Sequence, residues 1–299
     1  MLQEYNPKND NILIYINGAL LPRREAKVSV FDSVVQGGDA VWEGLRVYNG
    51  RIFCLDRHLE RLQNSAHALA FREVPDSEFI TRALFETLRA NGMRDGVHIR
   101  LTLTRGEKIT SGMDPRLNQS GPTLIILPEW KPPVYPPEIT LITSSVRRNS
   151  PMFLDSKIHH NNLLNNILAK IEANHAGADA GILLDKDGFV SEANGVNLFC
   201  IYKNTAYTPH ADSCLPGITR ALVLDLCREN GIPAREKNLS ITEFYTADEV
   251  FTTGTMGELT RVSAIDGRRI VNKSGRSTLE QIEGLFRALT ETGGTPLPF

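Results

Sequence analysis

The sequence has little of what marks a secreted or membrane-embedded protein. Only four of its 299 residues are cysteine, and no two form a Cys-x-x-Cys pair. Cysteines this sparse are typical of reduced thiols rather than of a disulfide framework. No apolar run approaches the ~20 residues that a membrane-spanning helix needs, and the first ten residues lack the apolar core of a signal peptide. We therefore expect a cytoplasmic protein that does not bind a membrane.

The sequence also lacks an excess of charge of either sign. Lysine and arginine number 33 against 35 aspartate and glutamate, which leaves a net charge of −2. This balance gives no electrostatic footprint for nucleic acid, so we expect a small-molecule ligand. The seven histidines are scattered, and the adjacent pair His159 and His160 would point about 100° apart on a helix. We predict no metal site.

Several short catalytic motifs are missing as well. The sequence has no GxxxxGK[ST] phosphate loop, no GxGxxG after a strand, no HExxH and no GxSxG. Nothing therefore points to a nucleoside triphosphatase, a dinucleotide-binding Rossmann enzyme or a serine hydrolase.

Strand and helix patterns are present in both halves of the chain. Residues 97–104 alternate between apolar and polar side chains, which predicts a strand whose polar face either meets solvent or lines a cleft. Five prolines fall within residues 128–138. We expect this segment to interrupt helix and central strand and to link two domains, 1–127 and 139–299. Because strands and helices mix without a strict βαβ rhythm, we predict an α+β fold for each domain.

Capping residues and apolar spacing predict the positions of the helices. Asp56 stands where an N-cap belongs, and a second helix is predicted from about Asp76 to a stop at Gly92. A helix in the second half is predicted from the spacing of Leu164, Ile167, Leu168 and Ile171.

Three segments of the second half carry candidate functional groups. Lys157 lies in a polar stretch before a predicted helix, and Glu192 lies inside a predicted strand. The segment Leu215-Pro-Gly-Ile-Thr-Arg220 opens another helix with glycine and threonine. Taken alone, the first is an ordinary solvated lysine and the last an ordinary helix start. A buried Glu192 would, however, need a partner, and the free N–H groups of a helix start can hold a phosphate.

Taken together, the three segments predict a site for pyridoxal 5'-phosphate (PLP). A lysine amine can condense with the PLP aldehyde, and a carboxylate can keep the pyridine nitrogen protonated. A helix terminus can hold the phosphate group.

The chain also resembles a known family, the class IV aminotransferases, which are fold-type IV PLP enzymes. The resemblance runs from about Ile14 to Ile270 and is most specific at Leu215–Arg220, Ala247–Phe251 and Thr253–Glu258. It implies the two-domain fold of mixed helices and strands seen in D-amino acid aminotransferase. It further implies PLP as the cofactor, an amino acid and a 2-oxo acid as substrates, and assembly into a homodimer or a larger homo-oligomer.

The resemblance assigns cofactor contacts by position. Lys157 matches the lysine that bonds to PLP, Glu192 the partner of the pyridine nitrogen, and Arg61 the arginine that pairs with the phosphate. The other implied contacts are Leu215, which packs on the ring, Gly217 in the same helix corner, and the phosphate-binding residues Ile218, Thr219 and Thr255.

The resemblance to branched-chain amino acid aminotransferases indicates a substrate class. The run Trp42-Glu-Gly-Leu-Arg-Val-Tyr48 is similar to theirs, and His98-Ile-Arg100 resembles their Tyr-Ile-Arg. These motifs imply branched-chain L-amino acids as donors and 2-oxoglutarate as the acceptor. Trp42 and Trp130 would wall the apolar side of the pocket, and Arg100 would recognise a second carboxylate. The Thr255-Met256 turn would meet the substrate carboxylate through backbone N–H groups.

Two departures keep other substrates open. The branched-chain pattern has a tyrosine five residues after the lysine, where this chain has Asn162, and the triplet around Arg105 is closer to that of D-amino acid aminotransferases. In those enzymes the equivalent arginine helps to bind the substrate carboxylate. The main alternative is therefore a D-amino acid aminotransferase, followed by an aminodeoxychorismate lyase or an (R)-amine transaminase. A non-catalytic binding protein is a further alternative, although the presence of Lys157, Glu192 and Arg61 argues against it.

Overall fold

A computed structural model describes residues 3–299 of the chain, which fold into mixed helices and strands. Contacts divide these residues into two compact units. The first unit comprises residues 3–132, 158–162 and 290–299, and the second comprises 133–157 and 163–289. The main division falls within the predicted proline-rich linker. The short segment Ile158–Asn162, directly after Lys157, belongs to the first unit.

The first unit is built on one seven-stranded sheet. Its strands are β1 (Leu13–Ile16), β2 (Ala19–Pro22), β3 (Ala40–Tyr48), β4 (Arg51–Ile52), β5 (Val97–Thr104), β6 (Thr123–Trp130) and a terminal strand, Thr295–Pro296. The sheet order is terminal strand, β4, β3, β5, β6, β1, β2. Its helices are α1 (Ser33–Gly37), α2 (Leu55–Ala68) and α3 (Ser77–Ala90).

Strand β5 shows how the alternating pattern separates the two faces of this sheet. Its apolar residues belong to a core cluster that also contains the inward residues of α2 and α3. The opposite, polar face is not solvated: His98, Thr102 and Thr104 are buried. Because every second side chain of a strand shares a face, the half-buried Arg100 lies on this polar face too.

The second unit is built on a nine-stranded mixed sheet. Its strands are β7 (Glu138–Arg147), β8 (Ala180–Leu184), β9 (Val190–Ala193), β10 (Asn197–Tyr202), β11 (Thr205–Thr208), β12 (Ala234–Glu236), β13 (Glu249–Gly254), β14 (Glu258–Ile265) and β15 (Arg268–Arg269). The order is β12, β11, β10, β13, β14, β7, β8, β9, with β15 paired to β14. The helices are α4 (Leu164–His175), α5 (Ile218–Glu229), α6 (Ile241–Thr246) and α7 (Thr278–Thr292), whose last three residues belong to the first unit.

The proline-rich segment does not begin as a linker. Strand β6 continues through Pro128 to Trp130, so the first residues of the predicted linker belong to a strand. Pro128 pairs with Ile99 of β5, whereas β1 pairs with β6 only at Ile125 and Ile126. Strand β6 therefore has no second neighbour in the sheet at Pro128, where the missing N–H costs no ladder hydrogen bond.

The two predicted helix starts of the first unit have different outcomes. Asp76 is the N-cap of α3, and its carboxylate accepts a 2.7 Å hydrogen bond from Phe79 N. The N-cap of α2 is Cys54 rather than Asp56, and Cys54 has a left-handed φ of 52°. Asp56 lies in the first turn instead, where its charge favours the positive end of the helix dipole.

Helix α4 forms where its apolar spacing predicts, but that apolar face is exposed. Leu164 is 72% exposed, and Ile167, Leu168 and Ile171 are also exposed. Periodicity thus predicted the helix correctly without showing what covers its apolar side. None of the helices within residues 3–299 has both the length and the apolar character needed to span a bilayer.

Candidate active site

Lys157 lies in the loop between β7 and α4 of the second unit. Its backbone N–H donates to Asp155 Oδ1 (3.0 Å), which forms a tight polar turn just before the lysine. Its side chain is 46% exposed, and Nζ donates to the carbonyl oxygen of Asp212 (3.3 Å) and lies 4.0 Å from Asp155 Oδ1. The amine is thus reachable from solvent.

Glu192 is a buried carboxylate on β9, 5% exposed. Arg148 Nε donates to Glu192 Oε1 (2.5 Å) and Asn197 Nδ2 donates to Oε2 (3.3 Å). Burial raises the pKa of the Glu192 carboxyl, and this effect outweighs the opposing effect of Arg148. The expectation that a strand-borne acid needs a partner is met by Arg148, which the sequence analysis did not single out.

Asn197 joins Glu192 to the start of helix α5. Its Nδ2 also donates to the carbonyl oxygen of Leu215 (3.0 Å). A Cβ atom placed on Gly217 would lie 2.0 Å from Asn197 Oδ1, so only glycine allows this close approach. Glu192, Leu215 and Gly217 are therefore brought together around one asparagine, which the sequence analysis also missed.

The first turn of α5 has the character of an anion site. Gly217 is its N-cap, and because glycine has no side chain, no capping group competes for the first N–H groups. Ile218 and Thr219 follow in the first turn, and both are buried. The positive end of this 12-residue helix is thus available to a phosphate.

The Thr255-Met256 turn joins β13 to β14 in the same unit. Thr255 and Met256 are half-buried, and the carbonyl oxygen of Met256 accepts a hydrogen bond from Val134 N (3.0 Å). The next residue, Gly257, packs so closely on Tyr135 that an added Cβ would lie 2.9 Å from the ring. Val134 and Tyr135, near the start of the second unit, thus hold the Thr255-Met256 turn in place.

A second buried carboxylate, Glu43 on β3, organises the charged groups of the first unit. Its side chain has no exposed surface. Arg61, on α2, donates to it through Nε (2.8 Å to Oε1) and Nη2 (2.7 Å to Oε2). His58 Nδ1 lies 2.6 Å from Oε2, and His159 Nδ1 lies 3.1 Å from Oε1. Arg61, which the resemblance assigns to the cofactor phosphate, is therefore held by a carboxylate that the sequence analysis did not single out.

Trp42 and Arg100 lie together on the polar face of the first sheet. The Arg100 guanidinium carbon is 3.8 Å from the centroid of the Trp42 ring, and Nη2 donates to Asn161 Oδ1 (3.3 Å). His159 stacks on the same tryptophan, with ring centroids 4.2 Å apart. The pairing of β3 with β5 thus brings the Trp42 ring and the Arg100 guanidinium together, and the segment after Lys157 adds the His159 imidazole.

His98 shares this face and is kept neutral. Burial, followed by the charges of Lys131, Arg46 and Arg100, lowers its pKa to about 3. The imidazole is therefore uncharged at neutral pH and leaves Arg100 as the charged group of the His98-Ile-Arg100 motif.

Arg105 directly follows β5, and most of its guanidinium N–H groups are hydrogen-bonded to other residues of the first unit. Its Nε and Nη2 donate to the two carboxylate oxygens of Asp39 (2.6 and 3.1 Å). The same guanidinium donates to the carbonyl oxygens of Leu69 (2.7 Å) and Ala70 (3.2 Å) and lies over the ring of Phe71. Four of its five N–H groups are thus engaged within the first unit.

Trp130 and Asn162 are the last two residues that the sequence pointed to as part of the substrate pocket or as departures from the family pattern. The register pairs Trp130 with Val97 of the core face rather than with a residue of the polar face, so its place in the pocket stays a prediction. Asn162 Nδ2 donates to the carbonyl oxygen of Gly38 (3.2 Å), a backbone contact within the first unit.

Comparison with known proteins identifies the family. The family model described as amino-transferase class IV matches residues 40–265. The chain belongs to the class IV aminotransferases. Branched-chain-amino-acid aminotransferase-like protein 2 of Arabidopsis thaliana is 56% identical over 98% of this chain. That match covers 53% of the Arabidopsis protein, so the chain spans about half the length of this relative.

Two further relatives are similar over nearly their whole length. A putative branched-chain-amino-acid aminotransferase of Methanocaldococcus jannaschii is 40% identical, over 94% of this chain and 97% of its own. The branched-chain amino acid aminotransferase from Thermobaculum terrenum, solved in its PLP-form, superposes with a TM-score of 0.83. It is 26% identical, over 95% of each chain. These comparisons confirm the predicted family, fold class and cofactor.

The residues of the second unit fit PLP chemically. Lys157 supplies a reachable amine, Glu192 a buried carboxylate, and α5 a helix start without a capping side chain. Arg148 Nη1, beside Glu192, and Thr253 Oγ1 are among five buried polar side-chain atoms of the unit that have no hydrogen-bond partner within the described residues; the others are Asn165 Oδ1, Asn166 Oδ1 and Arg220 Nε. Within residues 3–299, no group of His, Cys, Asp and Glu side chains is arranged to hold a metal ion.

Proposed function

We propose that the chain transfers the amino group of a branched-chain L-amino acid to 2-oxoglutarate, with PLP attached at Lys157. The observation that carries this proposal is the combination, within one unit, of a reachable lysine amine, the buried Glu192 and the glycine-capped start of α5. When bound, PLP supplies an aldehyde that accepts the amino group and a ring that takes up the electron pair at the substrate Cα.

Each candidate site residue of the second unit has a distinct task in this proposal. Lys157 Nζ is the base that carries the proton from the substrate Cα. Glu192 holds a proton on the pyridine nitrogen, since the new positive charge stabilises a carboxylate whose burial otherwise favours its neutral form. The first turn of α5 and Thr255 bind the phosphate, and Leu215 packs against the ring.

The first unit supplies the substrate contacts. Trp42 offers an apolar wall to a branched side chain, whereas Arg100, stacked on that wall, pairs with the second carboxylate of 2-oxoglutarate or glutamate. The same pocket can then accept an apolar side chain in one half of the reaction and an acidic one in the other. The backbone N–H groups of the Thr255-Met256 turn are proposed to bind the carboxylate common to both substrates.

The alternative of a D-amino acid aminotransferase depends on Arg105 as the carboxylate anchor. Because Asp39 and two carbonyl oxygens occupy most of its donors, Arg105 is better suited to hold the end of β5 in place. This supports the L-amino acid proposal over the D-amino acid one. The lyase and (R)-amine transaminase alternatives have no comparable observation in their favour. Assembly into a homodimer or larger homo-oligomer and a cytoplasmic location remain part of the proposal.

A panel of amino acids tests the proposal directly. The PLP-loaded protein is mixed with 2-oxoglutarate and L-leucine, L-isoleucine, L-valine or D-alanine, and glutamate formation is measured. We expect turnover with the L-amino acids, none with D-alanine, and none at all for Lys157→Ala. Lys186→Ala, at an exposed lysine, is the matched control and should keep full activity. Turnover with D-alanine alone, or an active Lys157→Ala variant, would contradict the proposal.

Variants at the two arginines test the substrate contacts separately. Arg100→Ala should raise the KM for 2-oxoglutarate by about 10- to 100-fold, the loss expected for a hydrogen bond between charged groups, with a smaller effect on L-leucine. Arg105→Ala should leave both KM values within about threefold. If Arg105→Ala rather than Arg100→Ala weakens binding of both substrates, the carboxylate anchor has been assigned to the wrong arginine.

A further inference from the structure

The buried carboxylate of Glu192 has one charged donor among the residues that the structure describes. Arg148 Nε donates to Glu192 Oε1 (2.5 Å), and both side chains are buried. The other donors, Asn197 Nδ2 (3.3 Å) and the backbone N–H of Leu215, are neutral. Within residues 3–299, Glu192 is also the only ion-pair partner of Arg148. The two side chains thus form an isolated, buried pair of opposite charges.

The fold fixes this pair in place. Arg148 directly follows β7, and its backbone N–H donates to the carbonyl oxygen of Leu184 (2.8 Å), the last residue of β8. Strand β8 pairs with β9, so Leu184 lies beside the strand that carries Glu192. Because the backbone of Arg148 is tied to the same sheet, its guanidinium is held beside the carboxylate before any ligand binds.

The charge of Arg148 opposes the cost of burying Glu192. Burial raises the pKa of the Glu192 carboxyl, and the charge and hydrogen bond of Arg148 offset only part of this rise. Another titratable side chain near the pair is Cys214, whose pKa is raised to about 12, chiefly by burial and then by Glu192, so it stays a neutral thiol. The ionised form of Glu192 therefore depends on Arg148.

A ring nitrogen next to Glu192 would share one proton with it. The proton lies either on the carboxyl oxygen or, once that O–H bond breaks and an N–H bond forms, on the nitrogen, and no further reactant is needed. Coulomb energy falls with distance, so a guanidinium in direct contact with the carboxylate stabilises that anion more than it repels a positive ring that contacts only the carboxylate. Arg148 thus favours the form with the proton on the nitrogen, in which the ring withdraws electrons most strongly.

We propose that Arg148 is a positioning residue that holds Glu192 in its ionised form, so that the proton shared by this carboxylate and the PLP ring nitrogen lies on the nitrogen. This inference rests on the proposed function, since it takes Glu192 as the partner of that nitrogen. Arg148 itself touches neither cofactor nor substrate in this proposal. Its effect on the ring is transmitted through Glu192.

The protonation state of the ring nitrogen reports this role directly. The cofactor-free wild type and Arg148→Met are loaded with PLP that carries ¹⁵N in the ring, and the ¹⁵N chemical shift of the bound cofactor is measured at neutral pH. We expect a protonated nitrogen in the wild type and a shift toward the unprotonated value in Arg148→Met. Loss of a hydrogen bond between charged groups should lower the ratio of nitrogen-protonated to carboxyl-protonated forms by about 10- to 100-fold.

Controls separate the charge of Arg148 from a general effect on folding. Arg147→Met makes the same change at the neighbouring arginine, which is exposed and donates to the carbonyl oxygens of Ser144 and Ser145, and should keep the wild-type shift. Arg148→Lys keeps the positive charge and should stay closer to the wild type than Arg148→Met. Arg148→Gln, which is neutral but can still donate to Glu192, serves as the test variant if Arg148→Met does not fold.

Two results would overturn the inference. One is a wild-type shift in Arg148→Met, since a merely structural role lowers the amount of bound PLP without changing the shift of what remains bound. The other is an equal change in Arg148→Met and Arg148→Lys, which would mean that the charge is not what matters. Glu192→Gln tests the proposed function separately: a nitrogen that stays protonated in this variant would contradict the role of Glu192 itself, so the two failures are distinguishable.

Discussion

The two units each bury a glutamate, but the surroundings of these glutamates differ. Glu192 receives one arginine, one asparagine amide and the backbone N–H of Leu215, yet its burial still raises the pKa of the carboxyl. Glu43 receives an arginine through two N–H groups and contacts two histidines, and its pKa is lowered. The cost of burying the carboxylate is therefore fully compensated by hydrogen-bond donors in the first unit and only partly compensated in the second.

This difference indicates two kinds of task. A carboxylate with every acceptor direction filled can hold neighbouring side chains but has little capacity for a new partner. A carboxylate whose burial is only partly offset gains stability when a further cation arrives. Glu43 is thus suited to positioning Arg61, and Glu192 is suited to pairing with a protonated ring nitrogen.

The largest expected effect separates the two glutamates by their influence on catalysis. Glu192→Gln should lower kcat by about 10²- to 10³-fold, the loss typical of removing one preorganised electrostatic contact. Glu43→Gln, assayed at saturating PLP, should lower kcat by less than about tenfold. Steady-state kinetics of both variants check this prediction, and equal losses of kcat would remove the distinction between the two tasks.

The free energy of unfolding should rank the two sites in the opposite order. Glu43→Gln leaves Arg61 without its anion, which costs about 3–5 kcal/mol for a buried pair. Glu192→Gln should cost less, because the wild-type carboxylate is already penalised by burial. Urea denaturation of the cofactor-free proteins measures both values, with Glu60→Gln, at an exposed glutamate beside Arg61 in the sequence, expected within about 0.5 kcal/mol of the wild type. A larger loss for Glu192→Gln would reverse the comparison.

A smaller effect is expected in the pH dependence of stability. The lowered pKa of Glu43 contributes stability that is present above the unfolded-state pKa of about 4.5 and is lost as the pH falls below it. The raised pKa of Glu192 has the opposite sign, since its contribution is largest at low pH and is lost as the pH rises above about 4.5. The stability difference between wild type and Glu43→Gln should therefore grow from pH 3.5 to 5.5, whereas that for Glu192→Gln should shrink. If both stability differences grew, or both shrank, between pH 3.5 and 5.5, the pKa assignments would be contradicted.

Local signals in the sequence predicted much of the fold. The bounds of β5 follow from strict alternation, and the start of α3 follows from the capping carboxylate of Asp76. The start of α2 could not be predicted in this way, because the left-handed Cys54 reflects how the chain turns rather than a preference of cysteine. The path of β6 through Pro128 likewise depends on where a neighbouring strand ends.

The candidate site was predictable where the residue type itself is unusual in its setting. Glu192 attracted attention as an acid within a strand, and the same signal was present at Glu43, between Trp42 and Gly44. Arg148 and Asn197 carried no such signal, because a loop arginine and a strand asparagine are ordinary until folding brings them to Glu192. The saturated contacts of Arg105 depend in the same way on residues far from it in the sequence.

Attachment of PLP to Lys157 is the central claim, and chemical trapping tests it most directly. The PLP-loaded protein is reduced with borohydride, digested, and examined by peptide mass spectrometry for the added pyridoxyl mass. We predict a single modified peptide that carries the label on Lys157 and the loss of that label when reduction follows incubation with excess L-leucine, because the amino group has then been transferred to the cofactor. A label on another lysine, or none at all in a protein that binds PLP, would contradict the assignment.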